Sequence, residues 1–375
     1  MKSLLTLGIM SGTSIDGVDY ALCDITSRKL KLCALWKAPF PPPLTRRLHD
    51  AARGASSSWE LAQLHHDLGR FYAHAARRFL TNRRFKPQLV GLHGQTVFHQ
   101  PDAKAPATLQ IGEPAYLARA LRVPVVSNFR AADLAAGGQG APLATAFHVR
   151  VFGVKGQHSC VNNLGGISNV TSIDWRRGAA PRVLAFDTGP ANVLIDLAVR
   201  TLTRRRLTFD RNGRRAGRGK VCHPLLAEWL KHPFFLIDPP KSTGREEFGE
   251  KFFATVLSQA RRRKLGIDDL LATLTEFTAR SIALNYRLHL RSAPHVVILA
   301  GGGAKNPVLR RGFVEALGRL GIEATVGTTA EAGWPVASIE PAAFAWLAWL
   351  RFNGLPGNFP ETTGARTSVL CGQIT

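Results

Sequence analysis

The sequence predicts an α/β fold built from two similar halves. Apolar runs typical of β-strands alternate with segments of helical spacing along the 375 residues, which is the pattern of α/β proteins. Glycine-rich turns follow three of these apolar runs directly, at 12–17, 187–190 and 301–306. A chain of this length more often forms two domains than one, and its hydrophobic content of 45% is ordinary for a globular protein.

The first half opens with three predicted antiparallel strands. Residues 4–10 are an apolar run, and 18–25 and 30–38 continue as strand-like patterns after short turns. Apolar residues recur every three or four positions over 57–82, which predicts a helix, and 88–92 predict a buried strand. Three antiparallel strands, a helix and a parallel strand are the opening order of an actin-like (ribonuclease H-like) domain, by analogy at the level of the fold.

The same order recurs in the second half. Residues 159–171 predict two strands joined by a glycine turn, 182–186 a third strand, 192–202 a helix and 295–299 a later strand. The repetition predicts two duplicated actin-like domains with an interdomain cleft that holds the active site.

We place the first domain at residues 1–127 and 355–375, and the second at residues 128–354. The tail from Asn358 is expected to return to the first domain as a helix or an edge segment. A separate helical pattern over 252–265 would present its basic residues on an exposed face.

The chain is strongly basic, with 49 basic and 26 acidic residues and a formal net charge of +23. Basic surfaces attract phosphate backbones. The basic residues are scattered, however, and the two concentrations at 204–220 and 261–264 lack interleaved aromatic residues of the kind that stack on bases. We therefore interpret the charge as a solvated surface that partly faces an anionic substrate, and we expect no nucleic-acid partner.

Cysteine usage and the apolar runs indicate the compartment. The five cysteines share no Cys-x-x-Cys spacing, which argues against a disulfide framework and a zinc site. No signal-peptide pattern is present, and the longest apolar run, 341–350, is about half of a membrane span. We expect a cytoplasmic protein with no membrane contact.

The glycine turns point to phosphate chemistry. Glycine lets main-chain N–H groups come close to phosphate oxygens, and carboxylates at such turns can hold Mg²⁺ or accept a proton. The pattern predicts a phosphotransferase. On spacing alone, the turn at 12–17 could also be an ordinary hairpin turn, and Asp187 could be a general base or a cap of the helix that follows it.

An ordered series of motifs resembles the anhydro-N-acetylmuramic acid kinases, bacterial enzymes of the actin/sugar-kinase superfamily. The series covers nearly the whole chain, which makes it far more specific than any single glycine pattern. Its members are Gly8-Ile9-Met10-Ser11-Gly12-Thr13-Ser14-Ile15-Asp16-Gly17-Val18-Asp19, Leu92-His93-Gly94-Gln95-Thr96-Val97, Thr108-Leu109-Gln110-Ile111-Gly112, Phe129-Arg130 with Asp133, Gly137-Gly138-Gln139-Gly140-Ala141-Pro142-Leu143, Asn163-Leu164-Gly165-Gly166-Ile167 with Asn169, Asp187-Thr188-Gly189-Pro190, Lys241-Ser242-Thr243-Gly244-Arg245-Glu246, Gly301-Gly302-Gly303 with Asn306, and Glu340 before Ala343-Phe344-Ala345-Trp346.

The resemblance implies ATP and Mg²⁺ as cofactors and assigns roles by position. Asp187 would be the catalytic base, and Asp16 would lie near the magnesium ion of Mg-ATP. The implied ATP-binding residues are Gly12, Thr13, Ser14, Ile15, Asp16, Gly17, Val18, Asp19, Gly165, Gly166, Gly301, Gly302, Gly303 and Asn306. The implied substrate-binding residues are His93, Arg130, Asn169 and Glu340.

The implied reaction combines hydrolysis with phosphorylation. The base activates water for attack on the anomeric carbon of 1,6-anhydro-N-acetylmuramic acid, and the freed sixth-position oxygen takes the γ-phosphoryl group of ATP. The product, N-acetylmuramic acid 6-phosphate, would serve peptidoglycan (murein) recycling, and a homodimer is the family expectation. Two alternatives stay open: a superfamily kinase of an ordinary hexose, and a basic ATP-binding module without catalysis.

Several of these residues have ordinary structural alternatives. His93 could be a hydrogen-bonded structural residue, Asn169 a turn residue, Glu340 a helix-start residue, and Gly301–Gly303 a plain strand-to-helix turn. Arg130 is a good carboxylate ligand, because its planar guanidinium can make two parallel hydrogen bonds to the lactyl group of a muramic acid.

The sequence departs from the family pattern at Asn128, at Asn192 after Pro190-Ala191, and at Ala337. These departures affect the details of sugar contacts and leave the proposed base and the phosphate turns in place. The Lys241–Glu246 segment lacks the glycine-rich run of a P-loop, so its residue types assign it no role.

Overall fold

The computed structural model describes residues 3–83, 85–101 and 104–375. The chain divides into two compact units, Met1–Val151 with Ala337–Thr375, and Phe152–Val336. This division differs from the predicted domain bounds, since residues 128–151 and 337–354 lie with the first unit.

The helices and strands follow one another in the order expected for an α/β chain. Residues up to 152 form β1 (Leu4–Ser11), β2 (Val18–Ile25), β3 (Leu30–Ala38), α1 (Pro42–Ala52), α2 (Ser58–Arg83), β4 (Leu89–Gln100), β5 (Ala107–Ile111), α3 (Ala115–Leu121), β6 (Val125–Ser127), α4 (Ala131–Ala135) and α5 (Thr145–Phe152). The middle of the chain forms β7 (His158–Leu164), β8 (Ile167–Asp174), β9 (Arg182–Pro190), α6 (Asn192–Leu202), α7 (His223–Trp229), α8 (Arg245–Phe248), α9 (Glu250–Arg262), α10 (Ile267–His289), β10 (Val296–Ala300), α11 (Pro307–Arg319) and β11 (Thr325–Thr328). The last elements are α12 (Ile339–Phe352), α13 (Pro360–Thr363) and β12 (Gln373–Ile374), and short 3₁₀ turns lie at Arg211–Gly213, Ala216–Arg218, Pro233–Leu236, Gly302–Lys305 and Val336–Ser338.

The sheet of the first unit has the strand order β12-β6-β4-β1-β2-β3, with β5 paired to β4. Strands β1, β2 and β3 pair antiparallel, whereas β4 is parallel to β1 and β6 is parallel to β4. The tail returns to this sheet as an edge segment, because β12 pairs antiparallel with β6.

The sheet of the second unit has the order β11-β10-β7-β8-β9. Here β7, β8 and β9 pair antiparallel, and β10 and β11 continue the sheet in parallel on the other side of β7. Both sheets therefore share one topology, in which the first strand lies between an antiparallel pair and later parallel strands. This repeated order confirms the prediction of two duplicated actin-like (ribonuclease H-like) domains.

Helix α12 belongs to the first unit because two glycines of its sheet allow backbone contact. A Cβ on Gly8 would lie 1.8 Å from the carbonyl oxygen of Pro341, and one on Gly91 would lie 2.2 Å from that of Phe344. Any side chain at either glycine would push the helix away. This close packing brings α12, whose first turn carries Glu340, against strands β1 and β4.

Each unit has its own buried core. In the first, the apolar faces of β1, β2 and β4 pack against α2, with Tyr20, Tyr72 and Phe79 among the buried side chains. In the second, helices α6 and α10 form the centre of the core together with Phe235 and Phe248. Within the described ranges, the structure contains no helix that combines the length and apolar character needed to cross a membrane.

Candidate active site

The turn at Gly12–Gly17 joins β1 to β2 and is anchored to its own unit at two points. Ile15 has a φ of 55° and a buried side chain, and its N–H donates to the carbonyl of Gly12 at 3.2 Å. Gly17 has a φ of 154°, and a Cβ there would lie 2.6 Å from the carbonyl oxygen of Ala38. The side chains of Thr13 and Ser14 stay exposed.

Asp16 occupies the tip of this turn with both carboxylate oxygens engaged. Lys37 Nζ lies 2.7 Å from Oδ2, and Ser14 Oγ donates to Oδ1 at 3.0 Å. Partial burial opposes ionisation, but the hydrogen bonds from Lys37 and Ser14 outweigh it and lower the pKa of Asp16. A metal ion that bound Asp16 directly would have to displace one of these contacts, although the 61% exposed side chain has room to move.

Strand β4 supports the turn through a residue that the sequence did not single out. Gln95 is fully buried, and its Nε2 donates to the carbonyl of Gly12 at 3.1 Å. Its Oε1 has no hydrogen-bond partner within the described residues. Ser11 adds a second link, since its Oγ donates to the carbonyl of Gly94 at 3.1 Å. The His-Gly-Gln-Thr motif was the available signal, because it placed Gln95 two residues after His93.

His93 and Arg130 form one hydrogen-bonded unit. His93 Nδ1 lies 2.8 Å from the carbonyl of Gly94 and donates to it, so Nε2 accepts from Arg130 Nη2 at 2.9 Å. Burial, followed by the charge of Arg130, holds the pKa of His93 well below its usual range. The imidazole is therefore neutral. These contacts fit the alternative in which His93 is a hydrogen-bonded structural residue. It orients the guanidinium of Arg130, which also donates to the carbonyl of Gly140 at 2.6 Å.

Two carboxyl groups lie within electrostatic reach of Arg130. Burial lowers the pKa of Arg130 to about 10, and the charges of Glu340 and Asp133 oppose this effect. Desolvation raises the pKa of Glu340, the charge of Asp19 raises it further, and the charge of Arg130 lowers it. Part of the Glu340 side chain is exposed to solvent. Desolvation also raises the pKa of Asp19. The hairpin, His93, Arg130 and Glu340 thus all lie in the first unit, and their roles in binding stay predictions.

Asp133 holds the loop at Gly140, whose carbonyl accepts a hydrogen bond from Arg130. The side chain is fully buried, and its Oδ2 accepts from the N–H of Gly140 at 2.7 Å. Its Oδ1 accepts from Asn358 Nδ2 and Thr363 Oγ1, each at 2.7 Å. Asp133, in the fourth motif of the series, is therefore a structural residue that ties the C-terminal segment to the loop beside Arg130.

In the second unit, Asp187 lies inside a strand. Strand β9 continues to Pro190, so the prediction of a turn directly after residue 186 is wrong. Asn169 is the register partner of Asp187 on β8, beside a bulge at Ser168. Helix α6 begins at Asn192 without a side-chain cap. Asp187 is therefore not a helix cap, and this alternative is excluded.

The carboxylate of Asp187 is held by a loop distant in sequence. Its Oδ2 accepts from the N–H of Thr243 at 2.8 Å, and its own N–H donates to the carbonyl of Lys241 at 3.1 Å. Burial raises the pKa of Asp187 to about 6, the Thr243 hydrogen bond opposes this shift, and the charge of Glu246 adds to it. Such a carboxylate is ionised at neutral pH and is a stronger base than an ordinary aspartate.

Two glycine turns meet at the carboxyl ends of β7 and β10, which are parallel neighbours. Gly301 has a φ of 77°, and a Cβ there would lie 2.5 Å from Asn163 Oδ1. A Cβ on Gly303 would lie 2.8 Å from the Cβ of Leu164. By contrast, a Cβ on Gly166 or on Gly302 would meet no described atom within 4 Å. The turns are packed on each other through Gly301 and Gly303, whereas Gly166 and Gly302 are exposed.

Two asparagines have structural roles beside these turns. Asn192, one of the departures from the family pattern, donates to the carbonyls of Leu164 and Gly165 at 2.9 and 2.6 Å. Asn306 caps α11, since its Oδ1 accepts from the N–H groups of Val308 and Leu309 at 3.0 and 3.2 Å. The oxygen of Asn306 is thus used by the helix. Its contacts fit the strand-to-helix alternative, and a role in nucleotide binding stays a prediction.

Comparisons with known proteins agree with the motif series. The family model described as anhydro-N-acetylmuramic acid kinase matches residues 4–375. A relative from Acaryochloris marina (strain MBIC 11017), named anhydro-N-acetylmuramic acid kinase, is 42% identical over 98% of this chain and 98% of its own length. One of the same name from Microcystis aeruginosa (strain NIES-843 / IAM M-2473) is 40% identical over 99% of this chain and 100% of its own.

Among solved structures, a ROK family glucokinase from Streptomyces griseus in complex with glucose and AMPPNP is 16% identical, with a TM-score of 0.41, and the match covers 92% of this chain and 99% of that chain. At this score the likeness adds nothing to the fold assignment, which rests on the two strand orders. The family match spans nearly the whole chain, and close relatives share its full length. The chain belongs to the anhydro-N-acetylmuramic acid kinase family.

Proposed function

We propose that this kinase uses ATP to open 1,6-anhydro-N-acetylmuramic acid hydrolytically and to phosphorylate it, with N-acetylmuramic acid 6-phosphate and ADP as products. The enzyme is a phosphotransferase with an alcohol group as acceptor, in keeping with its family. The observation that supports the hydrolytic step is Asp187, a largely buried carboxylate with a pKa of about 6 and one oxygen fixed by the Thr243 N–H. We further propose that it acts in the cytoplasm in the recycling of peptidoglycan.

The proposed reaction needs one base. Asp187 takes a proton from water as the water oxygen bonds to the anomeric carbon, and the bond from that carbon to the bridging oxygen breaks. The freed sixth-position oxygen attacks the γ-phosphorus of ATP, and ADP leaves. The proton on Asp187 then returns to solvent. Because the pKa of Asp187 is about 6, the base is regenerated readily at neutral pH.

For ATP, we propose that the hairpin Gly12–Asp19 and the glycine turns at Gly165–Gly166 and Gly301–Gly303 supply backbone amides. Phosphoryl transfer depends chiefly on positioning and on neutralising the developing charge. Mg²⁺ is commonly held by one or two carboxylates together with the phosphates, and Asp16 and Asp19 on the hairpin fit this donor set. When bound, the ion would neutralise negative charge on the transferring phosphoryl group.

For the sugar, we propose that Arg130 binds the lactyl carboxylate. The guanidinium is oriented by His93 and by the carbonyl of Gly140, which leaves further N–H donors for a ligand. A carboxylate ligand would also offset the loss of hydration that lowers the pKa of Arg130. Glu340 and Asn169 are proposed to contact the sugar hydroxyl or acetamido groups.

The test is mass spectrometry of the product formed from ATP and the anhydro sugar in ¹⁸O-labelled water. We expect one ¹⁸O atom at the anomeric position and none in the new phosphate ester. A kinase of an ordinary hexose would instead phosphorylate glucose, and that transfer would add no solvent oxygen to the product. A basic ATP-binding module would show no turnover, and steeply salt-dependent DNA binding instead. Either result would refute the proposal.

A further inference from the structure

The second unit contains a buried lysine next to the loop that holds Asp187. Lys241 is 8% exposed. Its ammonium lies 3.2 Å from the carbonyl oxygen of Phe234, 3.3 Å from that of Phe235 and 3.0 Å from Nε2 of His289. The partners of this ammonium are two carbonyl oxygens, which accept from it, and the His289 imidazole, whose Nε2 also lies 2.9 Å from the carbonyl oxygen of Phe235. They belong to the 3₁₀ turn Pro233–Leu236 and to the end of α10.

The setting of this ammonium is unusual for a lysine. Buried lysines ordinarily pair with a carboxylate, whereas Lys241 contacts carbonyl groups, an imidazole and two aromatic rings. The ring centroids of Phe234 and Phe186 lie 4.8 and 5.7 Å from Nζ. Burial lowers the pKa of Lys241 to about 8, and Asp238 opposes this effect from a longer range.

The backbone on either side of Lys241 grips the proposed base. The Lys241 carbonyl accepts from the N–H of Asp187, and two residues later the Thr243 N–H donates to the Asp187 carboxylate. Phe186, whose ring faces the ammonium, directly precedes Asp187 in β9. The lysine thus connects the loop, the strand that carries the base and the two helical segments around them.

We propose that Lys241 is a positioning residue for the reaction: its ammonium anchors the segment 241–243 so that the Thr243 N–H is directed at the carboxylate of Asp187. This proposal rests on the role of Asp187 as the base given above. Lys241 itself touches no reacting atom. It acts through the backbone of its own loop.

Loss of the Lys241 anchor should change the pKa of Asp187 in one direction. Charged and titratable groups around the pair are Glu246, which raises the pKa of Asp187, together with Asp238 and His289, which face Lys241. If the anchor is lost, the Thr243 N–H withdraws and ionised Asp187 loses its donor. The pKa of Asp187 must then rise, and the acidic limb of the pH–rate profile must move to higher pH.

The experiment compares Lys241→Met with a matched control, Lys251→Met, which removes an exposed lysine on α9 of the same unit. We expect Lys241→Met to lower kcat about tenfold at pH 7 and to shift the acidic limb upward by about half a unit or more, with KM for ATP within about twofold of the wild-type value. Lys251→Met should match the wild type in all three. An unshifted acidic limb in folded Lys241→Met would overturn the proposal, because a merely structural role would lower the amount of active enzyme without moving the limb.

A substrate-independent measurement separates this proposal from the proposed function. The side-chain ¹³C resonance of Asp187, assigned by its loss in Asp187→Asn, should titrate at higher pH in Lys241→Met than in the wild type. This holds even if the wild type fails to take up ¹⁸O. If Lys241→Met does not fold, His289→Ala removes the imidazole that contacts the ammonium, and we expect a smaller shift of the same sign. An unchanged titration of Asp187 in the folded His289→Ala protein would then refute the role of the anchor.

Discussion

Replacing Asp187 by asparagine should abolish turnover and, at neutral pH, make the protein more stable. Burial raises the pKa of this side chain from 3.8 to about 6. A shift of about two units corresponds to roughly 3 kcal/mol by which folding disfavours the ionised form. Asparagine carries no charge and its carbonyl oxygen can still accept from Thr243. We therefore expect the free energy of unfolding to increase by about 1–3 kcal/mol above pH 7.

The sign follows from proton binding. A carboxyl whose pKa is higher in the folded protein binds protons more tightly when folded, so its ionisation destabilises the fold. This effect is absent below the unfolded pKa of 3.8, grows as the pH rises and is complete above about pH 6. The stability advantage of Asp187→Asn should accordingly be large at pH 8 and small near pH 4. Wild-type kcat should fall about tenfold per pH unit below pH 6, because the base becomes protonated.

Urea unfolding at pH 4.5 and pH 8, together with an assay of ADP release, measures both effects. Asp196 supplies a matched control, since burial also raises its pKa to about 6 and it lies on α6 outside the proposed site. Asp196→Asn should be stabilised similarly and should keep its turnover. Activity of Asp187→Asn within about tenfold of the wild type would refute the assignment of the base. An equal stability difference at both pH values would refute the reasoning from burial.

Two further substitutions test the first unit. Arg130→Lys should raise KM for the anhydro sugar by about tenfold or more and leave KM for ATP unchanged, because lysine cannot form the bidentate contact; the difference should vanish with an anhydro sugar that lacks the lactyl carboxylate, and an equal loss on both sugars would contradict this role. Gly8→Ala should lower the free energy of unfolding by about 1–3 kcal/mol and reduce kcat/KM for the sugar, because a Cβ would lie 1.8 Å from the Pro341 carbonyl and must displace the helix turn that carries Glu340. The control Gly318→Ala, where a Cβ meets no described atom within 4 Å, should show neither effect in urea unfolding and kinetics.

The local patterns of the sequence determined most of the elements. An apolar run predicted β1, strand-like patterns predicted β2 and β3, and helical spacing over 57–82 predicted α2 to within one residue at each end. These patterns are reliable because side chains of a strand or a helix segregate to faces with a fixed period. The repeated order of elements was sufficient to predict the duplication.

The domain bounds were less accessible to sequence. Residues 341–350 are the longest apolar run of the chain, and nothing in that run tells which sheet it covers. Gly8 and Gly91 decide this by allowing α12 to touch β1 and β4 through backbone atoms. Such complementarity joins segments more than 240 residues apart in the chain, and no local period records it.

The sequence alone named the residues of the proposed site: local pattern indicated the glycine turns and Asp187, and the family resemblance implied the arginine and the remaining roles. What the tertiary structure decided is how each of these groups is held. The backbone of Thr243 fixes Asp187, His93 orients Arg130, Gln95 supports the first turn, and Asn306 serves its own helix. Hydrogen bonds between distant segments set the pKa and the direction of a side chain, and these contacts exist only once the chain has folded.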